Sequence, residues 1–213
     1  MEVIDLTGRY KIARGRLFKD QVDGGAWHHS VTRTPAASWT KAQELEVLDA
    51  IDRYHRQRHW HDRHGNLVSL GGFAYHFAAF PSRRLYQITP LAMRGAHVAS
   101  NNGHLVGVVL IGTFTTRAPV LAQLATAVEA RFAVEHWRAH PIEWRGHRGW
   151  AEPAYPTACP GNTHQLWTPG LAAAQEGRTV YTDAQIDAKL RGLYDRVASL
   201  EARRPKPAPA PKP

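Results

Sequence analysis

The chain has 213 residues, with 27 Lys and Arg against 18 Asp and Glu, 13 His, a single Cys and a formal charge of +9. One cysteine excludes an intramolecular disulfide framework and a four-thiolate zinc site, and no apolar run approaches the ~20 residues of a membrane helix. An apolar fraction of 43% is enough for a real core, and the positive charge implies either anionic partners (nucleic acid, acidic lipid, cell-wall polymer) or a solvated basic surface.

Residues 1–23 are polar and basic around a small apolar patch at Val3, Ile4 and Leu6, and read as an N-terminal arm or edge element. Gly24-Gly25 opens a short run rich in aromatic and β-branched residues, 26–32, closed by Thr34-Pro35, which predicts a strand. Thr40 with Gln43 is a capping-box pattern, and Leu45, Leu48, Ile51 and Tyr54 follow at near-helical spacing, so a helix is predicted over 41–58. His59 to Gly65 is polar and turn-prone. Residues 73–80 and 84–89 read as two strands joined at Pro81-Ser82-Arg83, with Phe73, Tyr75 and Phe77 on one face. The continuous apolar run 106–111 suits a strand covered on both sides. Pro119 begins a second helix with Leu121, Leu124, Val128 and Phe132 in a stripe, ending near His140-Pro141, and 142–145 reads as a last short strand.

Strands and helices alternate, so the fold class is α/β: a central mixed β-sheet flanked by helices. An extra C-terminal amphipathic helix is predicted over 183–203, where Thr182 and Gln185 form a capping box and Ile186, Leu190, Leu193, Val197 and Leu200 form a two-heptad seam. It packs on the domain or forms a short coiled-coil dimer. The resulting division is an arm (1–23), a main domain (24–170), a helical extension (171–204) and a Pro/Ala/Lys tail (205–213) that is too poor in apolar side chains to fold. There is no internal repeat.

All 13 histidines lie between His28 and His164. The cluster His55, His59, His61 and His64 sits at a helix end and in a polar loop, and reads as exposed histidine. His28-His29 differs, because adjacent strand residues point to opposite faces and one of them can enter a site. His147, in Gly146-His147-Arg148, and Cys159, in Thr157-Ala158-Cys159-Pro160-Gly161, are further candidates. Two imidazoles and a thiolate are good zinc ligands, and three protein ligands leave a tetrahedral position open, the mark of a catalytic site. On spacing alone, however, Cys159 reads as a small buried residue.

Six segments in order change that weighting: Trp27-His28-His29-Ser30, Phe73-Ala74-Tyr75-His76-Phe77, Arg94-Gly95-Ala96-His97, Asn102 through Gly112-Thr113-Phe114, Gly146-His147-Arg148 and Thr157-Ala158-Cys159-Pro160-Gly161. Through them the chain resembles the type-2 N-acetylmuramoyl-L-alanine amidases, the family that includes phage lysozyme-type amidases and peptidoglycan recognition proteins. The resemblance spans about residues 24 to 165. It implies Zn2+ held by His28, His147 and Cys159, with Tyr75 facing the metal and Thr157 helping to bind the reacting oxygen. It further implies that His97 and Asn102 belong to the substrate groove. His29 is the alternative to His28, and motif register favours His28. Departures are Ala74, where relatives usually have glycine, and a longer segment between His147 and Cys159, which makes 149–156 an insertion. No carboxylate falls inside the motifs; Glu143 and Glu152 flank Gly146-His147 as weak candidates for a general base.

The implied activity is zinc-dependent hydrolysis of the amide between N-acetylmuramic acid and L-alanine in peptidoglycan, as in a phage endolysin. Peptidoglycan is the expected partner, anionic wall polymers a second, and neither membrane insertion nor nucleic acid is expected of this monomer. The N-terminus has no apolar core of the signal-peptide kind, so the expectation is synthesis in the host cytoplasm and release to the wall through a separate pore. Recognition proteins of the same family often lack the cysteine that this chain has. A non-catalytic recognition module is one alternative, and a basic, histidine-rich nucleic-acid-binding metal protein is another.

Overall fold

A computed structural model of the chain describes residues 1–12, 15–61 and 66–173. The helix predicted over 183–203 and the tail 205–213 lie outside the described residues. The central sheet has six strands: β1 (Glu2–Asp5), β2 (Gly24–His29), β5 (Phe77–Ala79), β6 (Arg84–Gln87), β7 (Leu105–Leu110) and β8 (Glu143–Gly146). Their order is β1-β6-β5-β7-β2-β8. Within this sheet, among the described residues, only the β5–β6 hairpin is antiparallel; the other four pairings are parallel. A separate two-stranded ribbon pairs β3 (His59–His61), which falls in the stretch expected to be a turn, with β4 (Leu67–Ser69) just beyond it. The helices are α1 (Lys41–Gln57), α2 (Leu121–Arg138), α3 (His147–Trp150) and α4 (His164–Ala173).

The mixed sheet flanked by helices is the expected architecture. β2 and β7 are buried at every residue, as a continuous apolar run covered on both faces requires. Alternation divides β7 cleanly. Val106, Val108 and Leu110 join Trp27, Phe77 and Leu85 in a core against α2 and α4. Val109 and Ile111 join Leu48, Ile51 and Tyr86 in a second core under α1. Trp27 therefore points to the α2 face, where it stacks on Trp144 with ring centroids 4.3 Å apart, and His28 points to the face shared with α1.

α1 starts where the capping box places it. Gln43 N–H donates to Thr40 Oγ1, and Thr40 N–H donates to Gln43 Oε1 at 2.8 Å. Its buried stripe differs at the C-terminal end: Leu48, Ile51 and His55 are buried while Tyr54 is 54% exposed. The helical repeat of 3.6 carries the stripe from Ile51 to residue 55 rather than 54. Buried Glu44 is satisfied by three donors, Ser82 Oγ, Arg84 Nε and Tyr86 Oη, which tie α1 to β6.

α2 begins at Leu121, two residues after Pro119, and ends at Ala139 in the left-handed region. Gln123 Nε2 donates to the carbonyls of Ala79 and Ile111, and Thr126 Oγ1 to that of Phe80, so polar side chains on the inner face serve strand ends. Buried Arg131 pairs with Glu135, which also accepts from Trp144 Nε1, and donates to the Leu171 carbonyl, joining α2 to β8 and α4.

A further expectation fails. Phe73 and Tyr75 belong to the α1 side, but Phe77 belongs to the α2 core. Strand geometry covers only Phe77–Ala79, and Phe73 makes an isolated bridge to Ile12. Between them the chain leaves strand geometry, so the parity that would align 73 with 77 is lost. The arm 1–23 contributes β1 as an edge strand, parallel to β6.

Candidate metal centre

Parallel α/β sheets place sites beyond the C-terminal ends of their strands. β2 and β8 are parallel neighbours with Trp27 opposite Gly146. The next residues, His28 near the end of β2 and His147 at the start of α3, therefore lie side by side, with ring centroids 4.6 Å apart. The loop after α3 returns Cys159 to the same place: Arg148 N–H donates to the Cys159 carbonyl at 3.0 Å, and the Arg148 guanidinium donates to the Ala158 carbonyl at 2.6 Å. Among the described residues, His28, His147 and Cys159 form one group whose potential ligand atoms all lie within 4.8 Å of one another.

His28 Nδ1 is 3.6 Å from Cys159 Sγ. Four-coordinate zinc, with bonds of ~2.0 Å to nitrogen and ~2.3 Å to sulfur, keeps its ligands about 3.5 Å apart, so the donor set fits this ion. Its protonation fits as well. Burial, reinforced by His147 and His97, holds the His28 imidazole well below its ordinary value, hence neutral. Burial and then His29 lower His147 to about 4. Burial pushes the Cys159 thiol up to about 12, against a backbone hydrogen bond from His29 and the nearby Arg148 charge. Without a cation the thiol stays protonated; a divalent cation supplies the charge that a buried thiolate lacks.

The group opens on a cavity of about 810 Å3. His147, Cys159, Tyr75, Thr157, His97 and His55 line it, while His28 lies beneath at 1% exposure. The Tyr75 ring is 4.9 Å from that of His28. Burial, with Cys159 next in weight, raises the Tyr75 hydroxyl, so it remains a hydrogen donor. Thr157 Oγ1 accepts from Cys159 N–H at 3.1 Å and keeps its own hydrogen to give. Ala50, Ile51, Tyr54 and Arg58 form the α1 side of the rim, with the Arg58 guanidinium bonded to Tyr54 Oη at 2.7 Å.

His29 lines the cavity but is not part of the three-residue group: its Nδ1 accepts from Phe114 N–H at 3.2 Å. His97 lines the cavity, but Asn102 does not; its Oδ1 accepts from His97 and Val98 N–H at 2.7 and 2.9 Å. Glu143 is exposed and pairs with Arg145, Glu152 is exposed, and the cavity lining includes no carboxylate among the described residues. His55, read from sequence as an exposed residue, is buried instead: its Nδ1 accepts from Ala74 N–H at 3.3 Å, and its ring lies 5.5 Å from that of Tyr75. The available signal was its helical register four residues beyond Ile51. His59 is exposed as read.

No protein-family model matches the chain, and no curated protein matches it. Solved structures do. Bumblebee PGRP-SA is 20% identical, covers 77% of this chain and 91% of its own, and superposes with a TM-score of 0.61. Drosophila PGRP-LB is 19% identical, with coverage of 85% and 96% and a TM-score of 0.56. The N-acetylmuramoyl-L-alanine amidase LysC from Clostridium intestinale URNW is 16% identical, with coverage of 82% and 97% and a TM-score of 0.54. The chain thus has the α/β fold shared by peptidoglycan recognition proteins and N-acetylmuramoyl-L-alanine amidases, in keeping with the resemblance its motifs carry. Among the described residues, no helix is long and apolar enough to cross a membrane.

Proposed function

We propose that the protein is a zinc-dependent peptidoglycan hydrolase of the type-2 amidase family, cutting the amide between N-acetylmuramic acid and L-alanine. The observation that carries the reading is the convergence of His28, His147 and Cys159 at the floor of an open cavity. The fold serves recognition and hydrolysis alike, so the donor set makes the difference. Three protein ligands are the catalytic pattern, with a fourth position left to water or substrate.

Bound there, zinc would act as a Lewis acid toward the amide carbonyl and lower the pKa of water to about 7. The chain's own groups do the rest. Tyr75, kept protonated by burial, donates to the oxygen on which charge develops. Thr157, whose oxygen is held by the Cys159 amide, offers a second hydrogen. The cavity is roomy enough for a muropeptide. Arg58 at the rim suits the carboxylates of wall peptides, and the +9 charge draws the protein to an anionic wall at low salt. We take the catalytic domain as residues 24–170, with the 1–23 arm completing its sheet and core through β1, Leu17 and Val22, acting as a monomer on the wall, as an endolysin does. Cys159→Ser tests the reading: bound zinc, measured after chelation and reloading, and amidase turnover should both be lost. Full turnover by this variant after exhaustive chelation overturns it.

A further inference from the structure

The two ring nitrogens of His28 have different neighbours. Nδ1 faces Cys159 Sγ, while Nε2 lies 3.1 Å from Nδ1 of His97. His97 Nε2 is in turn 3.3 Å from the Leu105 carbonyl oxygen. A carbonyl only accepts, so His97 Nε2 carries a hydrogen. His28 and His97 are 1% and 6% exposed, and a charge on either imidazole would be buried at high cost, so both rings are neutral and His97 Nδ1 is a bare acceptor. The contact with His28 is then made by a hydrogen on His28 Nε2, and the neutral His28 ring keeps its Nδ1 lone pair for the side where Cys159 lies.

We propose that His97 is a positioning residue: through the series Leu105 carbonyl, His97, His28, it fixes the His28 tautomer in which Nδ1 is the metal-binding atom. The imidazole sits in a slot built for it. A Cβ on Gly107 would lie 2.7 Å from the His97 ring, and one on Gly95 would lie 2.7 Å from its Cδ2. Gly107 interrupts the apolar run of β7 at the one place where a side chain would fill this slot. Asn102 clamps the backbone by accepting from both His97 and Val98 N–H, so it sets the ring's height over β7. Metal-binding histidines commonly donate their second N–H to such a partner, and its loss weakens metal binding; the partner here is another imidazole. The metal half of this inference rests on the proposed zinc site, and the tautomer half does not.

The experiment uses the full-length, metal-free protein labelled with 15N. Long-range 1H–15N correlations should show His28 and His97 each protonated on Nε2. Two isosteric substitutions separate chemistry from shape. His97→Asn keeps an acceptor near the Nδ1 position; it should preserve the His28 tautomer and hold the zinc Kd, measured by chelator competition, within about threefold of wild type. His97→Leu removes the acceptor; it should mix the His28 tautomers and weaken zinc by roughly 10- to 100-fold. Wild-type His28 protonated on Nδ1 overturns the proposal without any variant needing to fold. So does a folded His97→Leu protein with unchanged tautomer and zinc affinity. Wild-type protein that binds no zinc refutes the hydrolase reading, and the tautomer result is then judged on the spectra alone.

Discussion

His76 makes the fold acid-labile in a way that can be isolated. It is fully buried; its Nδ1 accepts from Gly107 N–H at 3.0 Å, and its Nε2 donates to the Met93 carbonyl at 2.9 Å. Protonating Nδ1 therefore costs both a buried charge and a strand hydrogen bond. Burial lowers the group from 6.5 to about 4, with the Met93 bond as a smaller opposing effect. Between these values the unfolded chain binds the proton and the native one does not. Stability is thus complete above pH 6.5, falls as the pH drops, and the contribution is gone below pH 4. At about 1.36 kcal/mol per pH unit, the window is worth roughly 3 kcal/mol, a large share of the ~5–15 kcal/mol that holds a typical domain. His28, His55, His97 and His147 are lowered too, so wild-type acid sensitivity alone does not single out His76. Urea unfolding of wild type and His76→Asn at pH 7, 5.5 and 4 does. The asparagine oxygen can still accept from Gly107 but does not titrate. The wild-type advantage should shrink by roughly 3 kcal/mol from pH 7 to pH 4. An advantage that stays constant across that range refutes the reasoning.

Other substitutions probe the frame and the site. Gly25→Ala would put a Cβ 2.3–2.5 Å from the Trp144 ring, which is pinned against Trp27; a loss of about 1–3 kcal/mol is expected, and an unchanged melting temperature counts against the packing. Thr40→Ala removes the capping box of α1 and should cost about 1 kcal/mol in denaturant unfolding, with no change in zinc content. Tyr75→Phe should lower kcat on muropeptides by roughly 10²-fold or more while zinc stays stoichiometric; wild-type kcat in this variant removes Tyr75 from the chemistry.

Much of this was legible before the fold. β2 and β7 announce themselves as short runs rich in β-branched and aromatic residues, α1 by a capping box whose two hydrogen bonds form as the pattern implies, and the metal group by motifs whose order matches a known arrangement. What escaped depends on tertiary context. α4 contains Pro169 and Thr-Pro-Gly, poor helix material, yet Trp167 and Leu171 are buried in the α2 core and stabilise it there. β3 falls in a polar stretch that period alone reads as a turn, and pairs with β4 beyond it. His55 looked like one of four surface histidines because residue type says nothing of which helix face it occupies. The contact between His28 and His97 joins residues 69 positions apart, and only the stacking of β7 under the Gly95–Val98 segment brings them together.

The bond that is cut separates a muramoyl-alanine amidase from a recognition protein and from any other hydrolase. The protein, stripped of metal and then reloaded with zinc, is incubated with a defined muropeptide carrying N-acetylmuramic acid and its stem peptide, and the products are read by mass spectrometry. The prediction is zinc-dependent addition of one water. It should yield a sugar fragment ending in a free lactyl carboxylate and a peptide beginning with free L-alanine, with neither product from Cys159→Ser. A muropeptide bound but left intact by the zinc-loaded protein, or cut at a different bond, contradicts it.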